Sequence, residues 1–315
     1  MAGRVQDPGT LTAVRDRVRA RVVGRERELD LVLAAVAAGR DILLEGPPGT
    51  SKTTILKAIT TEWGIPLVFV EGNADLTPAK LVGHHNPARV LKEDYSPDNF
   101  TDGPLLEAMK SGGFLYLEEL NRAPDDTVNT LLTAMADRRI TMPTAGTVTA
   151  RPTFRVIASM NPYDNIGTTR LSTSVHDRLC RLAITYQDEL AERGIVALRA
   201  QVPGIDPGLY GRLSADAVAL TRATRAHQDI RQGSSVRGAI DLTLVTGQLL
   251  ALNGMVFEDT SYQETVYQET VYDAMTVALS GRIYLDETVA VTPEQVLRQI
   301  WEDHFILNPA AAQPG

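Results

Sequence analysis

Eight consecutive residues, Gly46-Pro47-Pro48-Gly49-Thr50-Ser51-Lys52-Thr53, restrict what this chain can fold into more than any other stretch. They lie between an apolar run, Asp41-Ile42-Leu43-Leu44-Glu45, and a segment of helical character, Thr54 to Thr61. A glycine-bearing loop that leaves a strand and enters a helix is an anion cradle. Its backbone N–H groups point inward and the helix N-terminus adds partial positive charge. In that arrangement Lys52 reaches the β- and γ-phosphates of a nucleotide and the Thr53 hydroxyl ligates Mg²⁺. The stretch predicts a nucleotide site and, alone, says nothing of hydrolysis. Ser51 stands where glycine is usual, and a Cβ is tolerated there with a negative φ or little strain. A chance Gly/Pro-rich turn is the plainer alternative. The strand–loop–helix context and the partners downstream weigh against it.

A second constellation follows. Phe114-Leu115-Tyr116-Leu117-Glu118-Glu119 places two acids at the C-terminal end of an apolar strand. Open α/β sheets bind ligands outside that edge. Glu118 is the metal-side candidate, and Glu119 the candidate that orients the attacking water. Glu118 is one methylene longer than the Asp more usual there, and Mg²⁺ geometry is strict. The plainer reading, two solvated acids, fits a lone pair better than one paired with a phosphate loop. Asn161 follows another strand and could bond the γ-phosphate or the water. Arg178 precedes a fifth strand, where a guanidinium can stabilise charge on a neighbouring subunit's nucleotide. Its alternative is a surface pairing with Asp177, and Arg170 is the second choice for the role. Ser234-Ser235-Val236-Arg237-Gly238 opens a helix that could aim Arg237 at the phosphates.

Apolar runs at 42–44, 66–70, 114–117, 154–158 and 181–185 alternate with helical segments over residues 23–186. That alternation predicts a mostly parallel sheet covered on both faces. Val23-Gly24-Arg25-Glu26 opens a helix that Gly39 ends. Residues 71–103 are rich in loop residues, and Arg139 to Thr153 reads as a β-hairpin across Thr144-Ala145-Gly146. From about residue 190 the pattern is helical only. The expected division is 1–188, a helical unit at 189–308, and a tail at 309–315. Tyr262-Gln263-Glu264-Thr265-Val266 repeats as Tyr267 to Val271. The expected setting of this repeat is a tolerant surface turn or helix start.

The 315 residues suffice for one large or two modest domains. The formal charge of −8 argues against a general nucleic-acid binder. No apolar run reaches membrane-spanning length, and the first residues lack a signal-peptide core. The one cysteine, Cys180, is expected as a small buried packing residue in a reducing cytosol. His84-His85 lacks the further ligands of a metal site.

Together these residues resemble the MoxR branch of the AAA+ ATPases, over roughly residues 20 to 305. Gly46 to Thr53 resembles the Walker A loop, in which a small residue other than glycine often precedes the lysine. Leu117-Glu118-Glu119-Leu120-Asn121-Arg122-Ala123-Pro124 resembles the Walker B segment, Ala158-Ser159-Met160-Asn161-Pro162 sensor 1, and Ser234-Ser235-Val236-Arg237 sensor 2. Asp177-Arg178-Leu179 resembles the arginine-finger segment, with Leu179 in place of Phe. Residues 75–103 resemble the helix-2 insert, and 139–153 the hairpin before sensor 1.

The resemblance implies a P-loop (ASCE) α/β fold, with a parallel five-stranded sheet of order 5-1-4-3-2 followed by a helical lid. It implies Mg²⁺ and ATP as cofactors, held between subunits of a homo-hexamer. Val23, Gly24 and Thr54 join Gly46 to Thr53 as expected nucleotide contacts, with Thr53 and Glu118 on the metal. Lys52, Glu119, Asn161, Arg237 and, in trans, Arg178 are the expected catalytic set. The family acts as chaperone-like remodellers, often with a von Willebrand factor A protein and a client complex. A metal-chelatase motor subunit, a nucleotide-gated scaffold with negligible hydrolysis, and a DNA-acting motor are the alternatives.

Overall fold

The computed structural model describes residues 8–87, 97–142, 145–162, 171–253 and 260–307. The expected start at Met1–Asp7, the tail at Pro309–Gly315, Arg170, Thr144 and the 88–96 part of the insert lie outside the described residues. The chain divides into two compact units, Met1–Thr185 and Tyr186–Gly315.

The first unit contains strands β1 (Ile42–Glu45), β2 (Leu67–Glu71), β3 (Gly83–His85), β4 (Phe100–Asp102), β5 (Phe114–Glu118), β6 (Arg139–Met142), β7 (Gly146–Thr149), β8 (Arg155–Met160) and β9 (Cys180–Ala183). Five of them form one sheet in the order β2-β5-β8-β1-β9, with every neighbouring pair parallel. Numbered along the chain, these five give the expected order 5-1-4-3-2. The inner strands are nearly continuous apolar runs because both faces are covered. Successive side chains alternate between faces. On one face Ile42, Leu44, Tyr116 and Ile157 pack with Ile55 and Ile59 of the helix Lys52–Trp63. On the other, Leu43, Leu115, Leu117 and Val156 pack with Leu105, Met109 and Leu131 of the helices Pro104–Ser111 and Asp125–Asp137.

Two small antiparallel pairs stand outside this sheet. β6 and β7 form the hairpin, with Ile140 opposite Val148. β3 and β4 pair within the loop-rich stretch, where the ring of His85 meets Phe100 edge-on at 5.2 Å. Among the described residues no group of three or more His, Cys, Asp or Glu could hold a metal ion.

The second unit is built from helices Glu189–Arg199, Pro207–Ala226, Val236–Leu252, Thr260–Leu279 and Pro293–Glu302. Asp188, Asp206, Ser235 and Thr292 cap four of them, the last through a full capping box with Gln295. Leu213, Leu242, Val271, Met275, Leu297 and Trp301 form its core. The expectation of helices only is corrected by a short antiparallel pair, β10 (Ile230–Gln232) with β11 (Tyr284–Leu285). These strands are too short to show a period of two in sequence. The five-residue repeat is also corrected in part. It lies inside the helix Thr260–Leu279, and its second copy is structural: Tyr267 is 2% exposed, donates to Asp216 at 2.7 Å, and Val271 is fully buried. A shift of five residues turns the helix well off register. Glu264 therefore pairs with Arg212, while Glu269 approaches Arg298. No helix among the described residues is long and apolar enough to cross a membrane.

Cys180 is exposed, not buried as expected. It opens β9, an edge strand, and three of that strand's four side chains are exposed. What fixes this end of the sheet is Asp41. Its backbone carbonyl accepts from Cys180 N–H at 2.9 Å. Its buried carboxylate accepts from Val156 N–H at 2.7 Å and from Arg138 Nη2 at 2.6 Å. Burial pushes its carboxyl above the usual aspartate range, against the pull of Arg138 and the Val156 N–H. Asp41→Ala leaves the Val156 N–H buried without its acceptor. It is expected to lower the unfolding free energy by about 1–3 kcal/mol in denaturant titration.

Candidate nucleotide site

Strand register brings several of the candidate residues to one edge. Glu45 of β1 is level with Met160 of β8 and Ala183 of β9, and Glu71 of β2 is level with Glu118 of β5. The strands are parallel, so the residues after each C-terminal end collect together: Gly46, Gly72, Glu119, Asn161 and Ile184. This is the edge where open α/β sheets bind ligands.

The phosphate loop turns here. Gly46 N–H donates to the Met160 carbonyl at 3.1 Å, and Ile184 N–H donates to the Glu45 carbonyl at 2.7 Å. A Cβ on Gly46 would collide with the Ile184 carbonyl oxygen, so glycine is required for the loop to leave β1 against β9. Pro47 and Thr50 are buried, Pro48 is exposed, and the Thr50 hydroxyl closes the turn on the Pro47 carbonyl at 2.8 Å. Gly49 and Ser51 adopt left-handed backbone, at φ 75° and 67°. Left-handed residues alternating with right-handed ones turn backbone N–H groups into a concave nest. Ser51 meets this demand with strain, because a left-handed L-residue costs about 1–2 kcal/mol. Lys52 is nearly buried; its ammonium donates to the Gly46 and Pro47 carbonyls at 2.7 and 2.8 Å. Thr54 faces outward on the first turn of the helix.

The metal-side candidates meet directly. Thr53 Oγ1 donates to Glu118 Oε1 at 2.9 Å. The hydroxyl of Tyr116 donates to the same oxygen at 3.1 Å and lies 3.0 Å from Ser159 Oγ. Burial pushes the Tyr116 hydroxyl up to about 12, so it stays protonated at ordinary pH. A hydroxyl beside a carboxylate is a hard-oxygen pair of the kind Mg²⁺ selects. The loop nest and Lys52 are the matching donor set for a polyphosphate. The residues present therefore fit both groups.

Glu119 follows in left-handed backbone at φ 55°, and its carboxylate pairs with Arg122 Nε at 3.0 Å. Gly72 makes that conformation fit. Its N–H donates to the Glu118 carbonyl at 2.7 Å, and a Cβ there would collide with the Glu119 carbonyl. Asn161 lies one residue past β8, and its backbone carbonyl accepts from the Asn121 amide at 3.4 Å. Val23 and Gly24 precede the helix Glu26–Ala37, with Gly24 at φ 64°. The neighbouring Arg25 is buried and donates to the Thr185 carbonyl at 2.7 Å. That bond ties the Val23–Gly24 turn to the chain just beyond β9, on the same edge as the loop.

Arg178 and Arg237 are carried by other elements. Arg178 ends the helix Thr173–Arg178, ahead of the N-terminal end of β9, so it lies at the sheet edge opposite its own phosphate loop. It is exposed and donates to the Ser174 carbonyl at 3.0 Å; among the described residues it makes no ion pair with Asp177. Arg237 belongs to the second unit, exposed on the first turn of the helix Val236–Leu252. The residues before it are tightly held. Thr224 accepts from Ser234 N–H at 2.9 Å, and Arg225 donates to the Ser234 carbonyl at 2.6 Å.

Tyr116, Gly72 and Arg25 are not singled out by the sequence motifs. Tyr116 reads as one more large residue in an apolar strand. The signal for Gly72 is its place directly after an apolar strand, and for Arg25 its adjacency to the Val23-Gly24 turn.

The parallel sheet, its phosphate loop and the paired acids define a P-loop ATPase. The AAA domain family (dynein-related subfamily) matches residues 41–179. The "Protein NorQ" of Paracoccus denitrificans is 30% identical over 233 residues, 69% of this chain and 83% of that protein. The "Gas vesicle ATPase GvpN" of Ancylobacter aquaticus is 26% identical over 327 residues, 97% of this chain and 86% of that one. The solved RuvB Holliday junction branch migration motor of Thermotoga maritima shares the fold, with 18% identity, 82% of this chain and 72% of that chain covered, and a TM-score of 0.51. The chain belongs to the MoxR-type, dynein-related AAA+ ATPases.

Ser51→Gly is expected to relieve the left-handed strain at some cost in chain entropy. The net gain should be about 0.5–1 kcal/mol in thermal or denaturant unfolding, with ATP binding kept. Ser51→Val should change stability in the opposite direction.

Proposed function

We propose that this ATPase is a Mg²⁺-dependent remodelling motor. It works as a ring of identical subunits that couples hydrolysis to rearrangement of a partner protein assembly. The observation that carries the reading is the position of Arg178. It is exposed at the sheet edge opposite its own phosphate loop, so it serves a nucleotide only on an adjoining copy. A guanidinium supplied this way is worth about 10³–10⁵ in rate in well-studied cases.

In this reading Lys52 leaves the carbonyls of Gly46 and Pro47 for the β- and γ-phosphates. Thr53 and Glu118 would hold magnesium, which would supply positive charge against the phosphate oxygens. Glu119 orients and polarises the attacking water once its carboxylate parts from Arg122. Asn161 bonds the water or the γ-phosphate, and Arg237 is a further candidate for phosphate contact. Loss of the γ-phosphate then releases the contacts that it ordered, which is how hydrolysis is coupled to rearrangement of the partner.

The remodelling role draws on the relatives. GvpN, named a gas vesicle ATPase, matches along almost the whole chain. The resemblance to the MoxR branch supplies the rest of the reading, a client protein complex served together with a von Willebrand factor A protein in the reducing cytosol. The net charge of −8 disfavours DNA as the object.

Steady-state phosphate release tests this. Glu119→Gln should abolish turnover and keep ATP binding. Arg178→Ala should lose about 10³-fold or more in turnover, also with binding kept. Mixing Arg178→Ala with Glu119→Gln subunits should restore activity at sites that draw an intact partner from each. An Arg178→Ala chain that hydrolyses ATP normally removes the ring reading.

A further inference from the structure

Tyr116 and Glu118 are two residues apart on β5, so both leave the same face of the sheet, the one covered by the helix Lys52–Trp63. Ser159 of β8 lies beside them on that face, and Thr53 comes from the first turn of the helix. Tyr116 is fully buried, and its ring lies 5.7 Å from Phe69 of β2. Phenylalanine or leucine would serve such packing equally well. The hydroxyl is what packing leaves unexplained, because burying it is costly unless it is hydrogen-bonded.

Thr53 Oγ1 also lies 3.2 Å from the Tyr116 oxygen, and one set of directions gives Glu118 both of its bonds. Each hydroxyl has one proton to give. Thr53 and Tyr116 both donate to Glu118 Oε1, at 2.9 and 3.1 Å. The 3.0 Å contact between Ser159 and Tyr116 is then donated by Ser159. The relay runs from Ser159 to Tyr116 to Glu118, with Thr53 entering from the other side. Two charge-assisted bonds fix Oε1. Oε2 takes no hydrogen bond from the described residues and remains for the metal shell. Glutamate carries one more rotatable bond than aspartate, and ordering that bond costs side-chain entropy. The Tyr116 hydroxyl removes the freedom in advance.

We propose that Tyr116, oriented by Ser159, is a positioning residue that holds the Glu118 carboxylate in place for magnesium, so that a glutamate serves where a shorter acid is usual. The inference rests on the assignment of Thr53 and Glu118 to the metal, and the test separates the two.

ATP binding to the full chain is measured by calorimetry across a Mg²⁺ titration and again in EDTA. The variants are Tyr116→Phe, Ser159→Ala, Glu118→Ala, and Tyr116→Phe combined with Glu118→Ala. Tyr116→Phe is expected to raise the Mg²⁺ concentration for half-maximal binding about 5–10-fold, within the range of one ordinary net hydrogen bond. Binding in EDTA should stay within about 2-fold of the parent. Ser159→Ala should shift the Mg²⁺ dependence the same way by less. In the Glu118→Ala background Tyr116→Phe should add nothing, because its partner is gone. A loss that persists there marks a general packing role and overturns the inference. Parent-like Mg²⁺ dependence of both Tyr116→Phe and Ser159→Ala, with Glu118→Ala impaired, overturns it alone. Parent-like Mg²⁺ dependence of Glu118→Ala overturns the metal assignment and the inference with it.

Discussion

The register of β1 against β8 and β9, and of β5 against β2 and β8, is the constraint on which the site depends. Parallel pairing sets Glu45 level with Met160 and Ala183, and Glu118 level with Glu71. A slip of one residue would turn Glu118 and Tyr116 to the opposite face of the sheet. The apolar core prevents this, because Leu115 and Leu117 belong to one cluster and Phe114 and Tyr116 to the other. Asp41 reinforces the register at the far end, binding Val156 N–H through its carboxylate and Cys180 N–H through its carbonyl.

On that frame the edge concentrates backbone strain. Ser51 and Glu119 both hold left-handed backbone without being glycine. Such residues cost about 1–3 kcal/mol each and persist where surrounding structure over-determines them. The surroundings here are specific. Gly46 and Gly72 let β9 and β2 approach closer than any Cβ allows, and the strand bonds beside them fix the turns. The strain serves placement: one turn aims the loop N–H groups inward, and the other carries the Glu119 carboxylate past the end of β5.

Much of this was legible in the sequence, for reasons that differ by element. The sheet was legible because its inner strands are short apolar runs bounded by turn residues. The loop and the paired acids were legible because their spacing answers to phosphate and metal geometry. Cys180 was misread because a strand's residue types do not say which strand lies at the edge. Tyr267 was misread because a repeat of period five looks indifferent to a helix, whereas the second copy turns its tyrosine into the core. The role of the Tyr116 hydroxyl was invisible because, beyond Glu118 on its own strand, the groups it meets, Thr53 and Ser159, are far away in sequence and come together only in the folded sheet. The bond from Arg25 to the Thr185 carbonyl, across 160 residues, was invisible for the same reason.

The account comes down to one claim: a triphosphate is gripped where β1 ends, by the loop that Lys52 now braces through the Gly46 and Pro47 carbonyls. Calorimetric titration of Lys52→Ala with ATP and Mg²⁺ tests it most directly, with circular dichroism to verify the fold. The account predicts a folded protein whose ATP affinity falls by about 100-fold or more, the loss of a charge-assisted contact on each of two phosphates. A folded Lys52→Ala chain that binds ATP as tightly as the parent would contradict it.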